Sequence, residues 1–225
     1  MPNQSILILD FGGQYKELIA RRVRECHVHS QILPGSTDIE RIRALQPIGI
    51  ILTGGPDSVY RDGAPRCDRA VFELGIPVLG ICYGLQLMAY TLGGRVSPCT
   101  VSEYGRTQMQ VEPACPLFSG MDPVQTGLMS HTDQISALPE GFQSAARTAN
   151  CPHAAVCDPK RRLYGTQFHP EVENTPNGLG MIHNFLYTVC AAAGDYDLTD
   201  VAQRLIDEIR EQVGQEHVIL GLSGG

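Results

Sequence analysis

Apolar positions in the first half of the chain come as short unbroken runs, each followed by a stretch with helical repeat. Ile6-Leu7-Ile8-Leu9 leads into Asp10-Phe11-Gly12-Gly13 and a helical pattern from Gln14 to Glu25. The run His29–Leu33 ends in a Pro-Gly turn, and Thr37 or Asp38 can cap a helix through Leu45. Ile48-Gly49-Ile50-Ile51-Leu52 closes on Thr53-Gly54-Gly55-Pro56; a helix around Arg66–Leu74, a strand Pro77–Ile81 and a helix Gly84–Leu92 are predicted next. Strands that are apolar throughout, rather than at alternate positions, are buried on both faces. The pattern therefore predicts an α/β fold with a parallel sheet covered by helices on both sides. Parallel strands finish at one edge, and ligands bind beyond their carboxyl ends. The loops DFGGQY, TGGPDS and CYG all follow strands, so they are predicted to meet on one rim.

From Gly94 to Gly165 the pattern changes to short strands and Pro/Gly-rich turns, which predicts an antiparallel or mixed extension of the sheet. Helices are predicted over Gly178–Ala193 and over Thr199–Val213, with Thr199 as N-cap, and a strand over His217–Leu222. This divides the chain into a main domain, 1–193, and an appended segment, 194–225.

The segment Leu74–Gly94 carries no charge, and a membrane span needs about 20 mostly apolar residues. It contains Pro77, Gln86 and five glycines, however, and changes from strand-like to helix-like character partway through, which argues against a span. The N-terminus lacks the basic start and long apolar stretch of a signal peptide. A hydrophobic content of 43% supports a sizeable core, and a net charge of −7 argues against nucleic acid as the main partner. A cytoplasmic location is expected. The eight cysteines include no CxxC pair and no Cys/His cluster with ligand spacing, so neither a disulfide framework nor a metal site is expected.

Most of these cysteines read as small buried hydrophobes. Cys82 is set apart by Gly80-Ile81-Cys82-Tyr83-Gly84, which fits a nucleophile elbow at a strand-to-helix turn. The glycines let strand and helix approach closely while the central residue takes a strained backbone that presents its side chain. The helix behind it favours negative charge on sulfur, and the N–H of Tyr83 points towards an oxyanion on an attacked carbonyl. A thiol nucleophile needs a base and the base an orienting group. In Gln167-Phe168-His169-Pro170-Glu171, Pro170 holds His169 extended, and residues at i and i+2 then face the same way, so Glu171 can hold the His169 ring. His131, in Met129-Ser130-His131-Thr132-Asp133, is the rival base.

GICYGLQ and QFHPEV together resemble the class I glutamine amidotransferases, and LILDFGGQY, ILTGGPDS, MSHTDQI and LGLSGG follow the family in order over nearly the whole chain. The resemblance implies a flavodoxin-like fold, its central and mostly parallel sheet flanked by helices, with a smaller antiparallel or mixed extension. It also implies a triad of Cys82 as nucleophile, His169 as general base and acid, and Glu171 as orienter, with the backbone N–H groups of Gly55 and Tyr83 as oxyanion hole. Gln86 stands where the family helps to hold L-glutamine, and Tyr104, Gly105, Ser130, His131 and Asp133 are further implied substrate contacts. Two departures are visible: Gly13 where many relatives have serine, and Asn174 where many have histidine.

Within the family, the motifs are most similar to the branch in which the glutaminase is covalently linked to an ATP-pyrophosphatase (synthetase) domain that uses the ammonia to aminate XMP to GMP. In that reading Ser223, Gly224 and Gly225 open a nucleotide-binding phosphate loop, with Thr199–Leu222 as linker and first strand of a domain beyond this chain. The glutaminase itself needs no metal or cofactor, ATP and Mg²⁺ belong to the linked domain, and the full-length protein is expected to be a homodimer. The alternatives are a free-standing glutaminase subunit of another synthase, such as the anthranilate synthase type, a cysteine hydrolase acting on γ-glutamyl substrates, and a non-catalytic module that keeps the elbow thiol.

Overall fold

The computed structural model describes residues 4–197, 199–219 and 221. The strands are β1 (Ser5–Asp10), β2 (His29–Pro34), β3 (Gly49–Leu52), β4 (Val78–Ile81), β5 (Arg95–Val111), β6 (Val124–Ala137), β7 (Gln143–Arg147), β8 (Ala155–Asp158) and β9 (Leu163–Thr166). The α-helices are α1 (Lys16–Glu25), α2 (Ile39–Leu45), α3 (Tyr83–Thr91), α4 (Gly178–Asn184) and α5 (Thr199–Val213). All nine strands form one sheet in the order β2-β1-β3-β4-β9-β8-β7-β5-β6. The first five in that order are parallel, and the other four run antiparallel to their neighbours. With β9 as the fifth parallel strand, this is the 2-1-3-4-5 order of flavodoxin-like sheets.

Burial on both faces explains the unbroken apolar runs. In β1, Ile6 and Ile8 pack on one side with Ile19 and Val23 of α1 and Ile182 of α4, whereas Leu7 and Leu9 pack on the other with Ile42 of α2 and Leu85 and Met88 of α3. Strands β3 and β4 are buried at every position. Asp38 caps α2 as expected, its side chain accepting from the Glu40 N–H at 2.8 Å.

Four elements differ from the sequence-based expectation. The helix around Arg66–Leu74 is a 3₁₀ turn, Arg69–Glu73, opened by an Asp68 side chain bound to the Ala70 N–H and followed by Gly75 at φ 71°. Cap and glycine leave too few residues for an α-helix. The segment Gly94–Gly165 is dominated by two long strands, β5 of 17 residues and β6 of 14. Alternate positions of β6 are buried, but they are Gln125, Gly127, Met129, His131, Asp133 and Ile135, so burial leaves no apolar alternation in the sequence. The helix expected over Gly178–Ala193 changes its winding early: α4 gives way to a π-helical turn over Phe185–Val189. Residues 217–219 and 221 form no strand, because no strand among the described residues pairs with them and Ile219 stays 97% exposed. Ser223, Gly224 and Gly225 lie outside the described residues.

Candidate active site

The parallel order delivers the loops after β1, β3, β4 and β9 to one edge of the sheet. There Gly12 to Tyr15, Gly54 to Pro56, Cys82, Ser130, His169 and Glu171 line a common cleft. The three glycine-containing loops therefore meet as predicted, and the residues after β9 join them.

Cys82 sits at φ 52° and ψ −106°, a left-handed torsion that a non-glycine residue adopts only at a cost of about 1–3 kcal/mol. Two contacts hold it there. Its N–H donates to the Thr166 carbonyl at 2.7 Å, which ties the elbow to β9, and its carbonyl accepts from the Gln86 N–H at 3.1 Å, the first turn of α3. A Cβ on Gly84 would come within 2.5 Å of the Leu52 carbonyl oxygen, so only glycine lets α3 approach β3 this closely. Tyr83 heads α3, in the first turn, where N–H groups have no intrahelical acceptor.

His169 follows β9 and is joined to β6 by an isolated antiparallel bridge to Leu128, with the chain turning at Pro170 and Glu171 where the sequence predicts extended backbone. Its N–H donates to the Leu128 carbonyl at 3.1 Å, and its carbonyl accepts from Thr175 Oγ1 at 2.6 Å, while Thr175 Oγ1 accepts from the Leu128 N–H at 2.9 Å. His169 Nδ1 lies 2.7 Å from Glu171 Oε1, and both side chains are buried. The other ring nitrogen is left for the Cys82 sulfur. Burial pulls the His169 imidazole down, but hydrogen bonds to the Cys82 sulfur and Glu171, and the negative charge of both, carry it up to about 10. An imidazolium beside the sulfur, oriented by a buried carboxylate, is the arrangement that thiol acyl transfer needs.

Several neighbours had no signal of their own in the sequence. Gln167 Nε2 donates to Cys82 Sγ at 3.6 Å. The Tyr15 ring meets the His169 ring edge-on at 5.4 Å. Gly54 lies across the cleft, where an added Cβ would sit 3.5 Å from His169 Cε1 and 3.9 Å from Cys82 Cβ. Gly13 packs on it: a Cβ at position 13 would come within 2.4 Å of the Gly54 carbonyl oxygen, so a serine there would require these two loops to separate. The loops are also joined by the Phe11 N–H, which donates to Thr53 Oγ1 at 3.0 Å.

The remaining sequence-derived residues divide. Ser130 stays by the nucleophile, with its carbonyl 3.9 Å from Cys82 Sγ. Gln86, Tyr104, His131 and Asp133 line a second cleft that opens on Cys82 and Gly55. The Gln86 amide nitrogen is already bound to the Asp133 carbonyl at 2.8 Å and to Gln167 Oε1 at 3.0 Å, and the Asp133 carboxylate accepts from Ser58 Oγ and from Tyr60 OH. These two residues hold the wall of the cleft together. Gly105 lines neither cleft. His131 turns both ring nitrogens away from the sulfur: Nδ1 faces the Asp133 carbonyl at 3.1 Å and Nε2 faces Glu103 Oε2 at 3.4 Å. Of the two candidate bases, His169 is the one that interacts with the Cys82 sulfur.

Comparison with known proteins agrees with this geometry. Residues 7–189 match the family described as Glutamine amidotransferase class-I. The chain is 52% identical over 225 residues to the GMP synthase [glutamine-hydrolyzing] of Syntrophomonas wolfei and 50% identical over 225 residues to that of Clostridium tetani. It is covered in full in both matches but spans only 44% of either relative. Among solved structures, a Thermoplasma acidophilum protein provisionally assigned as one subunit of a GMP synthase aligns with TM-score 0.74 at 30% identity, over 92% of this chain and 98% of that one. A glutamine amidotransferase from Thermotoga maritima shares the fold, with TM-score 0.68 at 16% identity over 84% of this chain and 99% of that one.

Proposed function

The chain belongs to the class I glutamine amidotransferase family, and from that premise we propose that it is the glutaminase part of a longer GMP synthase. The observation that carries the chemistry is the buried His169–Glu171 pair, 2.7 Å apart, set against a cysteine at φ 52° on a nucleophile elbow.

In the proposed reaction the Cys82 sulfur attacks the side-chain carboxamide carbon of L-glutamine. The tetrahedral oxyanion is received by the N–H groups of Gly55 and Tyr83, each donor worth on the order of 3 kcal/mol by analogy with other oxyanion holes. His169, protonated at the start, gives its proton to the departing nitrogen; the C–N bond breaks, ammonia leaves, and a γ-glutamyl thioester remains on Cys82. His169, now neutral, takes a proton from water, whose oxygen attacks the thioester. Glutamate is released and the sulfur is restored. Glu171 keeps the ring in one tautomer and orientation throughout.

The ammonia would be used by a covalently linked synthetase domain that aminates ATP-activated XMP. Support comes from the two GMP synthase relatives, of which this chain spans 44%. ATP and Mg²⁺ would be bound there, with Ser223–Gly225 at the start of its phosphate loop. The Thermoplasma structure, covered over 98% of its length, favours as second reading a separate glutaminase chain. Among the described residues no helix is long and apolar enough to cross a membrane.

The test is treatment with a glutamine-like electrophile followed by mass spectrometry. Stoichiometric labelling of Cys82, abolished together with glutaminase activity in Cys82→Ala, is the expected result. Labelling at another cysteine, or glutaminase activity surviving in Cys82→Ala, would refute the assignment.

A further inference from the structure

A second Cys–His–Glu constellation lies behind the cleft, apart from the triad. Glu103 on β5 and His131 on β6 are directly paired across the hairpin, and the turn between β7 and β8 brings Cys151 to them. One ligand atom from each of Glu103, His131 and Cys151 (a carboxylate oxygen, a ring nitrogen and Sγ) lies within 4.8 Å of the other two. Glu103, His131 and Cys151 are 6%, 5% and 1% exposed, so none of them is solvated.

Hydrogen bonds around the cluster set which atoms are left over. Thr148 Oγ1 donates to Glu103 Oε1 at 2.8 Å and accepts from the Cys151 N–H at 2.9 Å, fixing the carboxylate and the turn. His131 Nδ1 faces the Asp133 carbonyl at 3.1 Å, with Cys99 Sγ further off at 3.4 Å. A carbonyl oxygen can only accept, and in the tautomer that satisfies it, with the proton on Nδ1, a neutral ring presents a bare lone pair at Nε2. That lone pair faces a carboxylate oxygen at 3.4 Å, and neither atom has a hydrogen-bond partner among the described residues. The His169–Glu171 pair, by contrast, closes to 2.7 Å. Two buried acceptors pointed at each other are costly unless a cation sits between them.

We propose that Glu103, His131 and Cys151 form a binding site for a divalent metal ion of borderline softness, Zn²⁺ being the best match. A carboxylate, an imidazole and a thiolate are a zinc donor set, and the two anions balance the charge of the ion. Bonds of about 2.0–2.3 Å in a tetrahedron place ligand atoms roughly 3.3–3.8 Å apart, so the 3.4 Å pair already has the spacing and Cys151 Sγ needs to move in by up to about 1 Å. Binding releases the thiol proton to solvent. Nδ1 donating to the Asp133 carbonyl is the outer contact that fixes a metal-bound histidine. The ion would join β5, β6 and the β7–β8 turn, and so brace the 130–133 segment that walls the cleft beside Cys82.

The test uses the full-length protein with Cys82→Ser, so that the elbow thiol contributes nothing, stripped by a chelator and titrated with Co²⁺. One equivalent is expected to bind with a thiolate-to-cobalt charge-transfer band. The band should be lost in the double variant with Cys151→Ser, and affinity should fall at least about tenfold with Glu103→Gln. A second measurement needs no change in the cluster: Zn²⁺ should protect Cys151 from alkylation, read by mass spectrometry. Absence of the band in the Cys82→Ser protein, an unchanged band with Cys151→Ser, or equal alkylation of Cys151 with and without Zn²⁺ would each overturn the proposal. None of these outcomes bears on the glutaminase reading.

Discussion

Gln167 and Cys82 touch because their strands end side by side. β4 and β9 pair in parallel as far as Ile81 and Thr166, so the next residue of each lies at the same level, and Gln167 Nε2 donates to Cys82 Sγ at 3.6 Å. Its Oε1 is held by Gln86 Nε2 at 3.0 Å, which fixes the amide with its donor towards the sulfur. A fixed donor of this kind stabilises negative charge on sulfur. Gln167→Leu removes it and takes away one of the two acceptors of the Gln86 amide, and a hydrogen bond of this kind is worth about 0.5–1.5 kcal/mol. The expected outcome is a fall of about three- to tenfold in the rate of Cys82 alkylation at pH 7. Alkylation at the wild-type rate would show that the contact is packing only.

Glu171 is buried, and its Oε1 meets His169 Nδ1. Glu171→Gln keeps the shape but can present an N–H where the ring needs an acceptor, which favours the wrong tautomer. By analogy with the orienting acid of serine hydrolase triads, kcat is expected to fall by about 10⁴, with KM for glutamine little changed. Steady-state glutaminase assays separate the two constants; a change confined to KM would move Glu171 from the chemistry to the binding site.

The protonation of His169 can be followed directly. Its imidazole titrates at about 10 in the fold, against about 6.5 in an unfolded chain. Because the folded value is the higher, the ring's contribution to stability is complete below about pH 6.5 and is lost as the pH rises through about 10. NMR of the imidazole should show a charged ring at pH 8. In Cys82→Ala one of the two groups that raise it is gone, and the ring should titrate lower. A ring that titrates identically in both proteins would mean that the sulfur is not its partner.

The elbow depends on a close approach rather than on a side chain. An alanine at position 84 would bring Cβ within 2.5 Å of the Leu52 carbonyl oxygen, backbone against a helix end that cannot rotate away. Gly84→Ala is expected to destabilise the fold by about 1–3 kcal/mol in urea unfolding and to lower glutaminase activity by displacing Cys82 and Tyr83. A variant with the midpoint and activity of the wild type would show that α3 can slide on β3 at little cost.

Local pattern alone determined a good deal. The unbroken apolar runs of β1, β3 and β4 announced a sheet buried on both faces, because in such strands no position is left for water. Glycines at 80 and 84 announced the bend at Cys82, and the two-residue spacing announced the pairing of His169 with Glu171, which a turn at Pro170 and Glu171 brings about in place of the expected extended backbone. Each of these depends on torsions and burial within a few residues, which the residues themselves dictate. Tertiary structure decided the rest. β6 was invisible as a strand since its buried alternate positions include Gln125, His131 and Asp133, polar side chains whose partners come from elsewhere in the chain. His131 and His169 could not be ranked as base from their own neighbours. The choice was made by the sheet order, which sets β9 beside β4 and thereby carries Gln167, 85 positions along the chain from Cys82, and His169 just after it, to the sulfur, while it sends His131 to Glu103 and Cys151. A side chain's partner across that distance is fixed by which strands pair, and strand pairing is a property of the whole sheet.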